Sequence, residues 1–123
     1  MAVRYKSFSA GAVLATSGDK QFMYEIPSNC VQAKITFLST TSTTNGQFFI
    51  KKSGTNYYVG LPPVSSLCIA ASDSLPSGNI SGQAAANVSK LGIYLDAGDA
   101  IYCSSSTTTE ISLFVSGLLE YND

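Results

Sequence analysis

The chain has 123 residues, a net charge of −1 and only 12% charged residues, while serine and threonine together supply about a quarter of it. That is about one domain, long enough to bury roughly two-thirds of its unfolded surface without staples. The balanced charge lacks the basic excess with which proteins hold nucleic-acid backbones. No apolar run approaches the roughly 20 residues of a membrane-spanning helix, and the absence of histidine removes the commonest general base at neutral pH.

In chain order, residues 3–8 alternate at the strand period of two, and Arg4 and Lys6 mark them as a short edge strand. The apolar stretch over 10–15 is shorter than the roughly 7 residues that a signal peptide requires, so no export signal is expected. Residues 12–16 read as a strand or an extended arm, and Ser17-Gly18-Asp19 as a turn. The strand predicted over 21–26 puts Phe22, Tyr24 and Ile26 on one face and stops at Pro27. The clearest strand spans 31–40, with Val31, Ala33, Ile35 and Phe37 on one face and Gln32, Lys34 and Thr36 on the other. After a Ser/Thr loop closed by Asn45-Gly46, the runs 47–52 and 57–61 form a hairpin around Ser53-Gly54-Thr55-Asn56. Pro62-Pro63 ends it, because proline cannot donate to a ladder, and a strand resumes over 64–70.

Residues 72–87 lack a period and read as a long loop, in which Asn79 and Asn87 match the glycosylation pattern without an evident secretory route. The stretch 90–121 then reads as a β-meander: Leu91, Ile93 and Leu95 share a face, Asp96-Ala97-Gly98-Asp99 turns the chain, and Ile111, Leu113 and Val115 alternate with Ser112, Phe114 and Ser116. Eight or nine short, mostly antiparallel strands in one domain over 1–123 predict an all-β sandwich of jelly-roll type.

Few residues invite a chemical role. Ser17-Gly18-Asp19-Lys20 and Lys52-Ser53-Gly54 match fragments of penicillin-recognising enzymes, but Gly-Asp makes a turn where that chemistry needs a helix, and the chain is far too short for that fold. Asp96 and Asp99 are a close acidic pair, yet a calcium loop needs more oxygen ligands, so the pair reads as a turn with Gly98 at positive φ and an Asp capping an amide. Cys30, Cys68 and Cys103 suit neither a disulfide framework nor a zinc site and read as free, buried thiols of a reducing compartment, with one disulfide and a spare thiol as the alternative. No catalytic residue, cofactor or metal is expected. Of the seven tyrosines, adjacent Tyr57 and Tyr58 lie on opposite faces of a strand, so at most one enters the core. Either is the first candidate for an interface anchor, with Tyr94 and Tyr102 next; stacking of such rings on a surface glycan is the alternative use.

The sequences Leu-Asp-Ala-Gly-Asp-Ala-Ile-Tyr over 95–102, Ile-Ser-Leu-Phe-Val-Ser-Gly over 111–117, Leu-Leu-Glu-Tyr over 118–121 and Phe22-Met23-Tyr24-Glu25-Ile26-Pro27 resemble the small β-sandwich virion proteins of tailed bacteriophages. The resemblance implies a non-enzymatic accessory of the particle, decorating or cementing the head or forming part of the neck, tail or fibre. Its implied partners are identical subunits, in a trimer or higher symmetric ring, and other virion proteins. The implied location is the virion, assembled in the host cytoplasm. No functional residue carries over, since such proteins work through interfaces. The second reading is a lectin-like module that binds surface glycans.

Overall fold

The computed structural model describes residues 3–42, 44–64 and 84–122. Among them run nine strands, β1 (Val3–Leu14), β2 (Gln21–Glu25), β3 (Gln32–Thr40), β4 (Gly46–Lys51), β5 (Tyr58–Gly60), β6 (Ala84–Asn87), β7 (Tyr94–Leu95), β8 (Ala100–Ser105) and β9 (Ile111–Asn122), with one 3-10 turn at Ser89–Leu91. All pairings are antiparallel. The first sheet has the order β1-β9-β3-β6, with β7 also on β3, and the second has β2-β8-β4-β5. The chain thus passes back and forth between two sheets, and with β6 and β7 as two pieces of one strand position the order is that of a jelly roll.

The two sheets enclose one apolar layer. Ile35, Leu38, Leu95 and Val115 enter it from the first sheet and Phe48, Ile101 and Cys103 from the second, with Ile26 and Val88 closing gaps, and each is almost wholly buried. Side chains of this size contribute about 1.5–3 kcal/mol apiece on full burial. β9 shows why the alternation is legible: Ile111, Leu113, Val115, Gly117, Leu119 and Tyr121 point inward, and every residue between them faces out or is half-buried. Its Gly117 is the one small inward position. The Phe8 ring lies over it and stacks on Tyr24 at 4.6 Å, nearly parallel, tying β1 across the core to β2.

Several expectations are corrected. β1 is 12 residues long and pairs with β9 throughout, so residues 3–8 and 12–14 belong to one continuous strand that ends at Leu14, before Ala15 and Thr16. In β3 the register shifts between Ile35 and Phe37; this bulge turns Phe37 outward and brings Leu38 and Thr40 inside, while Val31 precedes the strand and is exposed. A second shift between Phe22 and Tyr24 buries Met23 and leaves Phe22 on the outer face. The stretch 90–121 is not a meander. β7 pairs with β3, whereas β8 joins β2 and β4, so Asp96–Asp99 carries the chain from one sheet to the other. Two runs with the same alternation face the same core from opposite sides, and alternation alone does not say which. Residues 84–87 of the supposed long loop form β6 on β3, so Asn87 ends a strand; the rest of that loop, the strand expected over 65–70, Asn79 and Cys68 lie outside the described residues. The β4–β5 hairpin is present, closed by Lys52 N–H donating to the Tyr57 carbonyl at 3.1 Å.

Candidate functional site

The structure places three of the four singled-out tyrosines on two surfaces and the fourth, Tyr57, in a turn. On the outer face of the second sheet, the register sets Phe22 opposite Tyr102 and Tyr102 opposite Phe49. Tyr102 meets Tyr58 edge to face at 5.2 Å between ring centroids and Phe22 at 5.7 Å. The Lys20 ammonium lies 4.8 Å from the centre of the Phe49 ring and 5.0 Å from that of Tyr58, a cation–π geometry. These residues form a continuous aromatic patch with its own cation. Tyr57 is not part of it: β5 begins at Tyr58, so Tyr57 sits in the preceding turn, 64% exposed, and neither tyrosine enters the core.

Tyr94 belongs to the other surface. Its ring stands on the outer face of the first sheet, 53% exposed, with the Lys34 ammonium 5.7 Å from its centre. Together with Tyr5 it walls a groove of about 330 Å³ floored by Leu118 and edged by Gln32, Lys34 and Glu120. Further along the same face, Phe37 and Phe114 meet edge to face at 6.2 Å and Val13 is exposed. Tyr5, Phe37, Phe114 and Leu118 were not singled out from sequence. The alternation of β9 places Phe114 outward; in β3 plain alternation puts Phe37 on the face of Ala33 and Ile35, because the bulge has no signature in composition.

A third feature lies at the sandwich end where β4 begins and β8 ends. Here a cleft of about 390 Å³ is lined by Ser17, Asn45, Gln47, Leu61, Ser104 and Ser106, among others, with no ionisable side chain. Its wall is held by Gly18 N–H donating to the Ser105 carbonyl at 2.9 Å and by the Ser106 hydroxyl donating to Asn45 Oδ1 at 2.9 Å. The cleft therefore offers hydroxyls and amides on a firm frame.

At the opposite end lies a buried carboxylate with three donors. Asp99 is 1% exposed and its carboxylate accepts from Lys52 Nζ at 2.7 Å and from the backbone N–H groups of Ser53 and Asp96, each at 2.9 Å. Burial opposes its ionisation, but the Lys52 ammonium and the two amides outweigh that cost and hold the carboxyl below its ordinary 3.8. The same bond holds Lys52 above its usual value. Gly98, at φ +86°, donates its N–H to the Ile26 carbonyl at 2.9 Å. The carboxylate is saturated with donors that tie two turns together, which makes it a structural staple.

Cys30 and Cys103 are free and buried. Burial pushes the Cys103 thiol up to about 11, and Cys30 Sγ lies 3.1 Å from the Gln32 carbonyl oxygen, to which it donates; neither is a poised nucleophile. Among the described residues no group of three or more cysteines and carboxylates could hold a metal ion, and no helix is long and apolar enough to cross a membrane. Compared with family models and with curated proteins, the chain matches none.

Proposed function

We propose that this chain is a non-catalytic structural subunit of a bacteriophage particle, an outer accessory protein that decorates or cements the capsid or forms part of the neck, tail or fibre through contacts with copies of itself. The observation that carries the reading is the outer surface of the sandwich. Both sheets present aromatic side chains away from the core: Phe22, Phe49, Tyr58 and Tyr102 on one, and Tyr5, Tyr94, Phe37 and Phe114 on the other. Contiguous apolar patches rimmed by polar groups mark interaction sites, and aromatic anchors dominate their energetics. The jelly-roll order adds support by analogy of fold alone, because capsid proteins and lectins both use it. The test is a density map and mass-spectrometric inventory of the intact particle. Copies of this fold in symmetric contact on its outside are expected, and a particle that contains none ends this reading.

A second reading, glycan binding, is favoured by the uncharged cleft lined by Ser17, Asn45, Gln47, Ser104 and Ser106, since neutral sugars are held by hydroxyl and amide partners. A glycan array probed with the purified chain should then give hits that Gln47→Ala weakens at least several-fold. An empty array removes it.

A further inference from the structure

β1 lies at the edge of the first sheet, with β9 on one side and, among the described residues, no strand on the other. Its pairing with β9 runs from Val3↔Asn122 to Leu14↔Ile111 without a shift. An edge strand exposes a row of unpaired N–H and C=O groups that template another strand, so soluble proteins keep such edges short, bulged or charged. The other edge segments here comply: β2 has 5 residues and a bulge, β5 has 3, β6 has 4 and β7 has 2. β1 does not. Its only charges are Arg4 and Lys6, and residues 7–14, SFSAGAVL, carry neither charge nor proline.

We infer that the outer edge of β1 is a seam at which a second copy of this chain adds its own β1, antiparallel and about a two-fold axis, so that the first sheet continues across both copies. The inference rests on the reading of the chain as a self-associating subunit and names the contact. Charge sets the direction. A parallel, in-register seam would face Arg4 with Arg4 and Lys6 with Lys6, whereas an antiparallel one sends the cations of the two copies to opposite ends. Opposed residues in a sheet share a face, so the outward residues Tyr5, Ser7, Ser9, Gly11 and Val13 must oppose one another, and a two-fold through Ser9 achieves this. It brings Tyr5, 62% exposed, opposite Val13 of the second copy, 64% exposed, an aromatic–β-branched pair of the kind that stabilises sheets. Ser7 then faces Gly11, and small residues fill the middle of the seam.

Light scattering of the purified chain at rising concentration should show the mass doubling. Ser9→Cys should cross-link two copies on mild copper-phenanthroline oxidation, while Thr55→Cys, on a turn remote from β1, should not. Ser9→Lys, at an exposed position that leaves the core untouched, should abolish the dimer and retain the circular dichroism of the parent. A dimer that resists Ser9→Lys and is not cross-linked through Ser9→Cys overturns the seam but leaves self-association standing. A chain that stays monomeric at every concentration overturns the seam, and the particle reading then stands or falls on the density map alone. Protection of β1 amides only inside the particle, by a strand of another protein, also overturns it.

Discussion

Two residues show how a local sequence acquires its role from a distant partner. Gly117 sits mid-strand, where glycine costs about 0.5–1 kcal/mol relative to alanine, yet a Cβ there would strike the Lys34 carbonyl oxygen and come within 2.7 Å of the Phe8 ring. Gly117→Ala should therefore destabilise the fold, by about 3 kcal/mol, read as a lowered denaturant midpoint; an unchanged midpoint would contradict the placement of Phe8. Asp99 is a turn residue, but its main partner, Lys52, is 47 residues away. Its folded-state pKa lies below the unfolded value, so its contribution is full above about pH 4 and is lost as pH falls through the folded value. Asp99→Asn should cost about 1–3 kcal/mol at neutral pH and flatten the stability profile below pH ~4. Urea unfolding across that range checks both. A variant whose acid limb parallels that of the parent would show that Asp99 is not the group titrating there.

Among the elements, the turn at Asp96–Asp99 and the two bulges decide most of what departs from simple alternation. Gly98 holds φ +86° and its Cα points at Ser53 Oγ, 2.5 Å from where a Cβ would stand. Gly98→Val should lower stability by about 1–3 kcal/mol, a drop in Tm on calorimetry; a variant that melts with the parent would remove the strain assignment. The bulges at Ile35/Phe37 and Phe22/Tyr24 each exchange which side chains face the core. One residue added to a strand reverses every later position, because the side-chain period is two. That is how Phe37 and Phe22 became surface aromatics although plain alternation puts Phe37 on the face of Ala33 and Ile35 and Phe22 on the face of Ile26.

For the whole molecule, the buried thiols report on the integrity of the sandwich. Cys103 is fully buried between the sheets and Cys30 lies beneath the Gln32 and Glu120 carbonyls. Both should resist a maleimide in the native protein and label fully in denaturant, as peptide mass mapping would show; native labelling of Cys103 would mean that the sheets separate readily. The all-β class, the β4–β5 hairpin and the faces of β9 were all legible in the residues. Each is written in short-range terms: a two-residue period and turn residues. Tertiary structure alone decided which sheet β7 and β8 join, where the bulges fall, that Lys52 meets Asp99, and that Tyr58 and Tyr102 share one outer face while Tyr94 stands on the other. Those depend on partners far along the chain. Both sheets bury their inner faces in one core, so the alternation within a strand is the same whichever sheet receives it, and only packing across the core distinguishes the two.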